Sequence, residues 1–420
     1  VSALRIAMLC APGLGGSSVV AIELARALVA RGHRVDLIST DPPVRLRDAP
    51  ATPGLRVHAV RGPAHPVYRQ EPDTLALASA AARIVRGDGA ALIHAHYALP
   101  YGAAGLLASE MTGRPLVLTL HGTDVVGVGD DPRVAPVVDH VIARAAVVTA
   151  VSPHLRERAL DRLSAARRIE VVPNFVAARR WSGQPGTEAG VAGPAARKGQ
   201  EPGPAPAAGR PGLVHVSNFR PVKRPLDAVR ILAAVRDQGV DVALTAFGDG
   251  PLREDARRLA EGLRVAPALA LVGTVPAGPR FLPGQVLLAP SEEEAFGLAA
   301  LEALAAGIPV VGSRVGGLVD LVEAGALPPA GALHPVGEVD GMARSAAWLL
   351  RDPQAYARAS AAAAERARAY GEEPAVTGYL DAYQEALRPG SSRTPLGAVR
   401  LAAAVAAAGG GDDELGNGPR

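Results

Sequence analysis

Residues 291–312 read SEEEAFGLAALEALAAGIPVVG, and the fold turns on how this stretch is divided. A short acidic loop leads into Phe296-Gly297-Leu298, and an Ala/Leu/Glu run of high helix propensity follows. Gly307 and Pro309 stop that run, and a short apolar segment after them has the character of a strand. The unit is loop, helix, strand, with carboxylates at its mouth. On one unbroken helix the spacing from Glu294 to Glu302 would set the two carboxylates roughly 80° apart, a poor pair for a single reacting atom. Glu294 is therefore expected in the loop and Glu302 on the helix, gripping different parts of an elongated ligand. The backbone N–H groups of Gly297 and Leu298 would then turn toward an anion. Taken alone, two glutamates read better as solvated side chains on an ordinary amphipathic helix, so the rest of the chain has to decide.

Outward from this stretch the chain alternates strands and helices. An apolar run over 4–9 is followed by a glycine-rich loop holding Gly13, Gly15, Gly16 and Ser17, a helix over 19–31 closed by Gly32, and a strand over 34–39. That opening predicts a doubly wound parallel sheet, although the loop lacks the full G-x-G-x-x-G spacing of a dinucleotide site. Further strands are expected at 91–95, 116–120, 147–151 and 169–172, with helices at 74–86, 102–112, 134–144 and 153–163 between them. From 177 to 212 the chain is Gly, Pro, Ala and charge without an apolar period, which predicts a linker. A second alternating set follows, with strands at 213–216, 242–247, 270–272, 286–289 and 310–311. The expected organisation is a sheet domain over 1–176, the linker over 177–212, and a second sheet domain over 213–371. A helix over 372–388 crossing back to the first domain and a disordered tail over 389–420 complete it. Two such domains imply a ligand in the cleft between them, where strand C-termini and helix N-termini face each other.

The composition of the 420 residues excludes several classes. A hydrophobic content of 48% with 20% charged residues describes a globular, soluble chain. The 44 Lys and Arg nearly balance 41 Asp and Glu, and the surplus is scattered, so charge supports neither nucleic acid nor membrane partners. The single cysteine, Cys10, lies in an apolar run and is expected to be a buried, inert thiol in a reducing medium. No run approaches ~18 apolar residues, and a cytoplasmic location is expected. His94 and His96 could suggest a metal site, but no Cys or carboxylate stands at ligand spacing beside them, and no metal is expected.

Several stretches together resemble the retaining, two-domain GT-B glycosyltransferases of glycosyltransferase family 4. They are the E-x7-E pattern from Glu294 to Glu302, HAHYALP over 94–100, TLHGTD over 119–124, PNF over 173–175 and SNFRPVKR over 217–224. The resemblance implies a nucleotide-sugar donor and a small polar acceptor. Glu302 would hold the ribose hydroxyls and Glu294 the hydroxyls of the transferred sugar. His121 would stand at the reacting face, catalytic with Glu294, Arg220 and Lys223 through positioning and electrostatics, and no general base is assigned. Cleaving a sugar–diphosphate bond builds negative charge on the leaving group. Arg220 and Lys223 are the candidates to meet it, helped by the backbone of Gly15, Gly16, Gly297 and Leu298, with Phe296 also on the donor side. Many members of the wider family place the phosphate-binding Arg two residues earlier, where this chain has Asn218. The acceptor side would draw on Ser17, Tyr97, Thr119, Thr123, Asp124, Asp130, Asp131 and Asn174.

Within the family the resemblance is nearest to transferases of N-acetylglucosamine, which implies UDP-N-acetylglucosamine as co-substrate. A dicarboxylate acceptor such as L-malate asks for cations, whereas 2-deoxystreptamine, a diamine, favours carboxylates near its ammonium groups. Asp130-Asp131 stand where malate-type members tend to carry a single Asp, although the pair could also cap the helix beginning near Pro132. Together with the Ala, Arg, Gly and Pro bias of a GC-rich genome, this favours 2-deoxystreptamine in aminoglycoside antibiotic biosynthesis, with L-malate in bacillithiol-type thiol biosynthesis as the alternative. A catalytically silent sugar-nucleotide-binding subunit is a further reading, disfavoured because Glu294, His121 and Lys223 are all present. Homodimerisation stays open.

Overall fold

The run Arg5–Leu9 (β1) is RIAML, buried almost throughout, and its alternation decides how the first half of the chain is layered. Ile6, Met8 and Cys10 point to one face of a sheet, Ala7 and Leu9 to the other, and both faces are covered. The structure, a computed structural model, describes residues 3–47, 50–65, 67, 73–162, 168–176, 212–275, 278–279, 281–323 and 327–389. The Pro/Gly/Ala-rich stretch over 177–211 and the tail over 390–420 lie outside them.

After β1 come α1 (Gly16–Ala30), β2 (Arg34–Ser39), β3 (Leu55–Ala59), α2 (Asp73–Asp88), β4 (Leu92–His96), α3 (Ala103–Thr112), β5 (Leu116–Leu120), α4 (Ala135–Arg144), β6 (Val147–Ala150), α5 (Pro153–Arg162) and β7 (Glu170–Val171). The second half holds β8 (Gly212–Val216), α6 (Pro225–Asp237), β9 (Ala243–Phe247), α7 (Arg253–Gly262), β10 (Leu269–Gly273), β11 (Gln285–Ala289), α8 (Leu298–Ala305), β12 (Val310–Ser313), α9 (Gly317–Val322), β13 (Gly331–His334), α10 (Val339–Arg351), α11 (Pro353–Arg368) and α12 (Glu372–Leu387).

Among the described residues these strands form two parallel sheets, ordered β3-β2-β1-β4-β5-β6-β7 and β10-β9-β8-β11-β12-β13. Both are Rossmann-like. In each the strand order reverses once beside the first strand, between β1 and β4 and between β8 and β11. A crevice opens there at the strand C-termini, where open α/β sheets bind ligands. Cys10 is buried at the end of β1, and burial pushes its thiol up to about 12, so it stays protonated.

Two strands, β3 and β13, have no counterpart in the sequence reading. Both are edge strands, and β3, LRVHA, is mostly exposed, so it carries no buried apolar run to be recognised. Residues 318–322 lie in helix α9, and Glu323 follows its end.

Helix α12 leaves the second sheet and packs on β4, β5, β6 and α1 of the first. Tyr379 and Tyr383 are its fully buried anchors, each ring removing on the order of 150–250 Å² from water. Arg31 at the end of α1 pairs with Glu372 at 2.9 Å and also with Glu373. Beside this crossing Val176 N–H donates to the Tyr370 carbonyl, and Val176 bridges Gly371.

Candidate active site

The loop between β11 and α8 sets out Glu294. Its last residue, Gly297, has φ 96°, and a Cβ there would lie 2.8 Å from Leu318, so only glycine turns the chain into α8. The Glu294 carbonyl accepts the Gly317 N–H at 2.9 Å, and its carboxylate accepts Lys223 Nζ at 2.5 Å and Ser291 Oγ at 3.4 Å. Lys223 comes from the other loop at this crevice, between β8 and α6. The two loops are tied by the Glu292 N–H on the Val222 carbonyl and by Arg224 on the Glu292 carboxylate, each at 2.8 Å. Ser217, Lys223, Ser291, Glu294 and Gly297 line a small cavity there. Arg220 is exposed in the same loop. Phe296 is buried, edge-on to Tyr370 at 5.7 Å.

The first sheet presents a different surface. Tyr97, past the end of β4, is held at φ 93° and stacks nearly parallel to His121, past the end of β5, with ring centres 5.9 Å apart. Its hydroxyl bonds to Thr123. Asp124 is buried and accepts the N–H groups of His121, Gly122 and Ala98 at 3.0, 2.8 and 3.1 Å. Burial pushes it up to about 6 against the pull of those donors. His121 Nε2 lies 3.0 Å from His96 Nδ1. Behind them His94 reaches Thr119 and Tyr383, each at 2.8 Å, and Thr119 continues to Thr149. Burial lowers His94 and His121 to about 3 and takes His96 well below the ordinary imidazole range, so all three rings are neutral.

Contacts across the crevice bring the two halves together. The N-termini of α1 and α8 approach so closely that a Cβ on Gly16 would lie 3.8 Å from Leu298, with exposed Gly15 and half-buried Ser17 beside it. Gly122, at φ 123°, leaves no space for a Cβ, which would meet that of Ala295 at 2.5 Å. Ser152 Oγ donates to the Ala295 carbonyl at 2.5 Å. The Arg220 charge is near enough to act on the Tyr97 hydroxyl.

Most of the residues singled out in the sequence therefore meet in one place, but not all face the crevice. Thr119 is fully buried inside the first sheet, and Asn174 is buried near the α12 crossing. Asp130 accepts the Gly127 N–H within its own loop, and Asp131 is paired with Arg133. Glu302 is buried on α8 with an oxygen 3.7 Å from Arg45 of the first sheet domain, which also stands 3.8 Å from Glu23. Arg45, Ser152 and the His96 contact were not legible in sequence, since each joins segments that only folding makes neighbours. For His96 one signal existed: HAH and LHG both end apolar strand runs, and β4 and β5 pair in parallel.

Among the described residues no group of three or more His, Cys, Asp or Glu is placed to hold a metal ion, and no helix is long and apolar enough to cross a membrane.

Comparison with known proteins agrees with this geometry. The family model Glycosyltransferase Family 4 matches residues 14–180, and Glycosyl transferases group 1 matches residues 200–366. The chain is 32% identical to N-acetyl-alpha-D-glucosaminyl L-malate synthase of Bacillus anthracis, over 92% of this chain and 98% of that protein. It is 31% identical to D-inositol 3-phosphate glycosyltransferase of Salinispora tropica, covering 89% and 81% of the two chains. With 2-deoxystreptamine N-acetyl-D-glucosaminyltransferase of Streptomyces fradiae it shares 30% identity, covering 83% and 86%. Among solved structures, sucrose-phosphate synthase of Thermosynechococcus elongatus superposes with a TM-score of 0.69 at 22% identity, covering 91% of this chain and 98% of that one. HepE of Anabaena, solved with UDP and glucose, gives 0.70 at 19% with the same coverage. Two Rossmann-like sheets with their switch points facing one crevice, matched along both halves, place the chain in glycosyltransferase family 4, with the GT-B fold.

Proposed function

We propose that the protein transfers N-acetylglucosamine from UDP-N-acetylglucosamine to L-malate, with retention at the anomeric carbon and without a metal. The observation that carries this reading is the 32% identity to the Bacillus anthracis malate synthase across nearly the whole of both chains. The loop geometry sides with it. The case for a diamine acceptor drew on the composition bias and, among residues, on Asp130 and Asp131; these carboxylates serve Gly127 and Arg133 in their own loop, while Asp124 is committed to three backbone N–H groups.

The crevice suits the chemistry. As the bond from C1 to the diphosphate oxygen breaks, charge develops on the leaving group. Arg220, Lys223 and the N-termini of α1 and α8 stand where fixed positive charge lowers that barrier. Lys223 would exchange Glu294 for phosphate, which releases the Glu294 carboxylate to the sugar hydroxyls. Glu302 would take the ribose. The acceptor hydroxyl bonds to C1 on the face the diphosphate leaves, and its proton passes to the departing diphosphate oxygen.

The test is a competition: purified protein, UDP-N-acetylglucosamine and equal L-malate and 2-deoxystreptamine, with a chelator, followed by product mass. An N-acetylglucosaminyl malate product is expected. Transfer to the aminocyclitol alone would overturn the acceptor assignment, and loss of transfer with chelator would overturn the metal-free reading.

A further inference from the structure

Three imidazoles, His94, His96 and His121, lie in series towards the ends of β4 and β5, tilted to one another, with successive ring centres 4.2 and 5.2 Å apart. His94 has partners on both nitrogens. His96 does not: its Nδ1 faces His121 Nε2 at 3.0 Å, and its Nε2 is buried with no protein partner among the described residues. Each ring is neutral and has one N–H to place. If His121 donated across the contact, His96 would have to carry its own proton on Nε2, as a buried N–H with no acceptor. If His96 donates from Nδ1, only a lone pair is left unmatched, and buried orphan donors are the rarer and costlier defect. His121 then keeps its proton on Nδ1. The Tyr97 ring stacks on the imidazole, and the Asp124 carboxylate accepts the backbone N–H of His121, which fixes the loop that carries it.

We propose that His96 is a positioning residue that fixes His121 as the Nδ1–H tautomer, so that His121 meets the bound substrates as a hydrogen-bond donor and never as a base. The lone pair of His121 Nε2 is occupied by His96, and no basic nitrogen of His121 is left for the acceptor's proton. This rests on the glycosyl-transfer reading for what His121 faces, but not on which acceptor is used.

The tautomer can be read without any substrate, by long-range nitrogen–proton correlation spectra of the full chain labelled at histidine. His121 should appear as Nδ1–H with an unprotonated, hydrogen-bonded Nε2, and a wrong acceptor assignment would leave that result untouched. An Nε2–H signal for His121 would overturn the proposal. The kinetic arm compares His96→Asn, whose amide N–H takes the place of Nδ1–H, with His96→Asp, which offers only an acceptor. The Asn variant should keep the most activity, and the Asp variant should lose about 100-fold in kcat with little change in KM for the UDP-sugar. Equal activities in the two would also overturn it. Should His96→Asp fail to fold, His121→Asn, which preserves a donor at the Nδ1 position, should outperform His121→Gln, and the reverse order would count against the proposal.

Discussion

The two switch points that face each other across the crevice are built on opposite electrostatic plans. On the first sheet the chemistry-bearing side chains are buried, neutral and hydrogen-bonded to one another, from His121 through His96 and from His94 to Thr119 and Tyr383. On the second they are half-exposed and ionic, with Lys223 on Glu294 and Arg224 on Glu292. A buried neutral network costs much to rearrange, because every broken bond leaves an orphan in low dielectric. A partly solvated ion pair can exchange partners cheaply, because water and an incoming phosphate compete for the same lysine. One side of the crevice is therefore a fixed template, and the other is a set of charges that can be redeployed.

The sharpest way to break this contrast is at the ionic side. Glu294→Ala should lower kcat by about 10²–10³-fold while UDP binding, followed by calorimetry, persists. Unchanged transfer would mean that the ionic pair is only a surface feature.

The neutral side should reveal itself through acid. His94 and His121 are both held down to about 3, against 6.5 when exposed. As pH falls below 6.5 the unfolded chain takes up protons that the folded chain refuses. Stability is full above that value and declines toward pH 4 by about 1.4 kcal/mol per pH unit for each group. Asp124, raised to about 6, has the opposite sign and offsets part of the loss as pH drops. Denaturant titrations at stepped pH would measure the slope, and a flat profile would mean that these rings are already solvated.

Tyr383→Phe deletes one bond of the network and leaves His94 Nδ1 buried and unpaired, which should cost about 1–3 kcal/mol in thermal or chemical unfolding. A neutral result would show that the network tolerates gaps. At the small end, Asp131→Asn removes only a loop pairing with Arg133, and transfer to malate should stay within about twofold of the parent. A selective loss would restore Asp131 to the acceptor site.

Much of this molecule was legible in its sequence because the relevant physics is local. Buried parallel strands write themselves as apolar runs, as in RIAML and LVLTL, and helix stops as Gly32, Gly113 and Gly307, each at positive φ. The loop position of Glu294 and the helical position of Glu302 follow from a few consecutive residues. The exposed edge strand β3 was illegible because its burial pattern depends on the strand beside it, β2. The reach of Arg45 to Glu302, the hydroxyl of Ser152 under Ala295, the donation between His96 and His121 and the locking of His94 by Tyr383 were decided by tertiary structure alone. Each joins atoms from distant segments at hydrogen-bond or ion-pair range. Propensity and periodicity carry no term for such a distance; it is set by sheet order, by the closeness of the two switch points, and by the return of α12 to the first sheet.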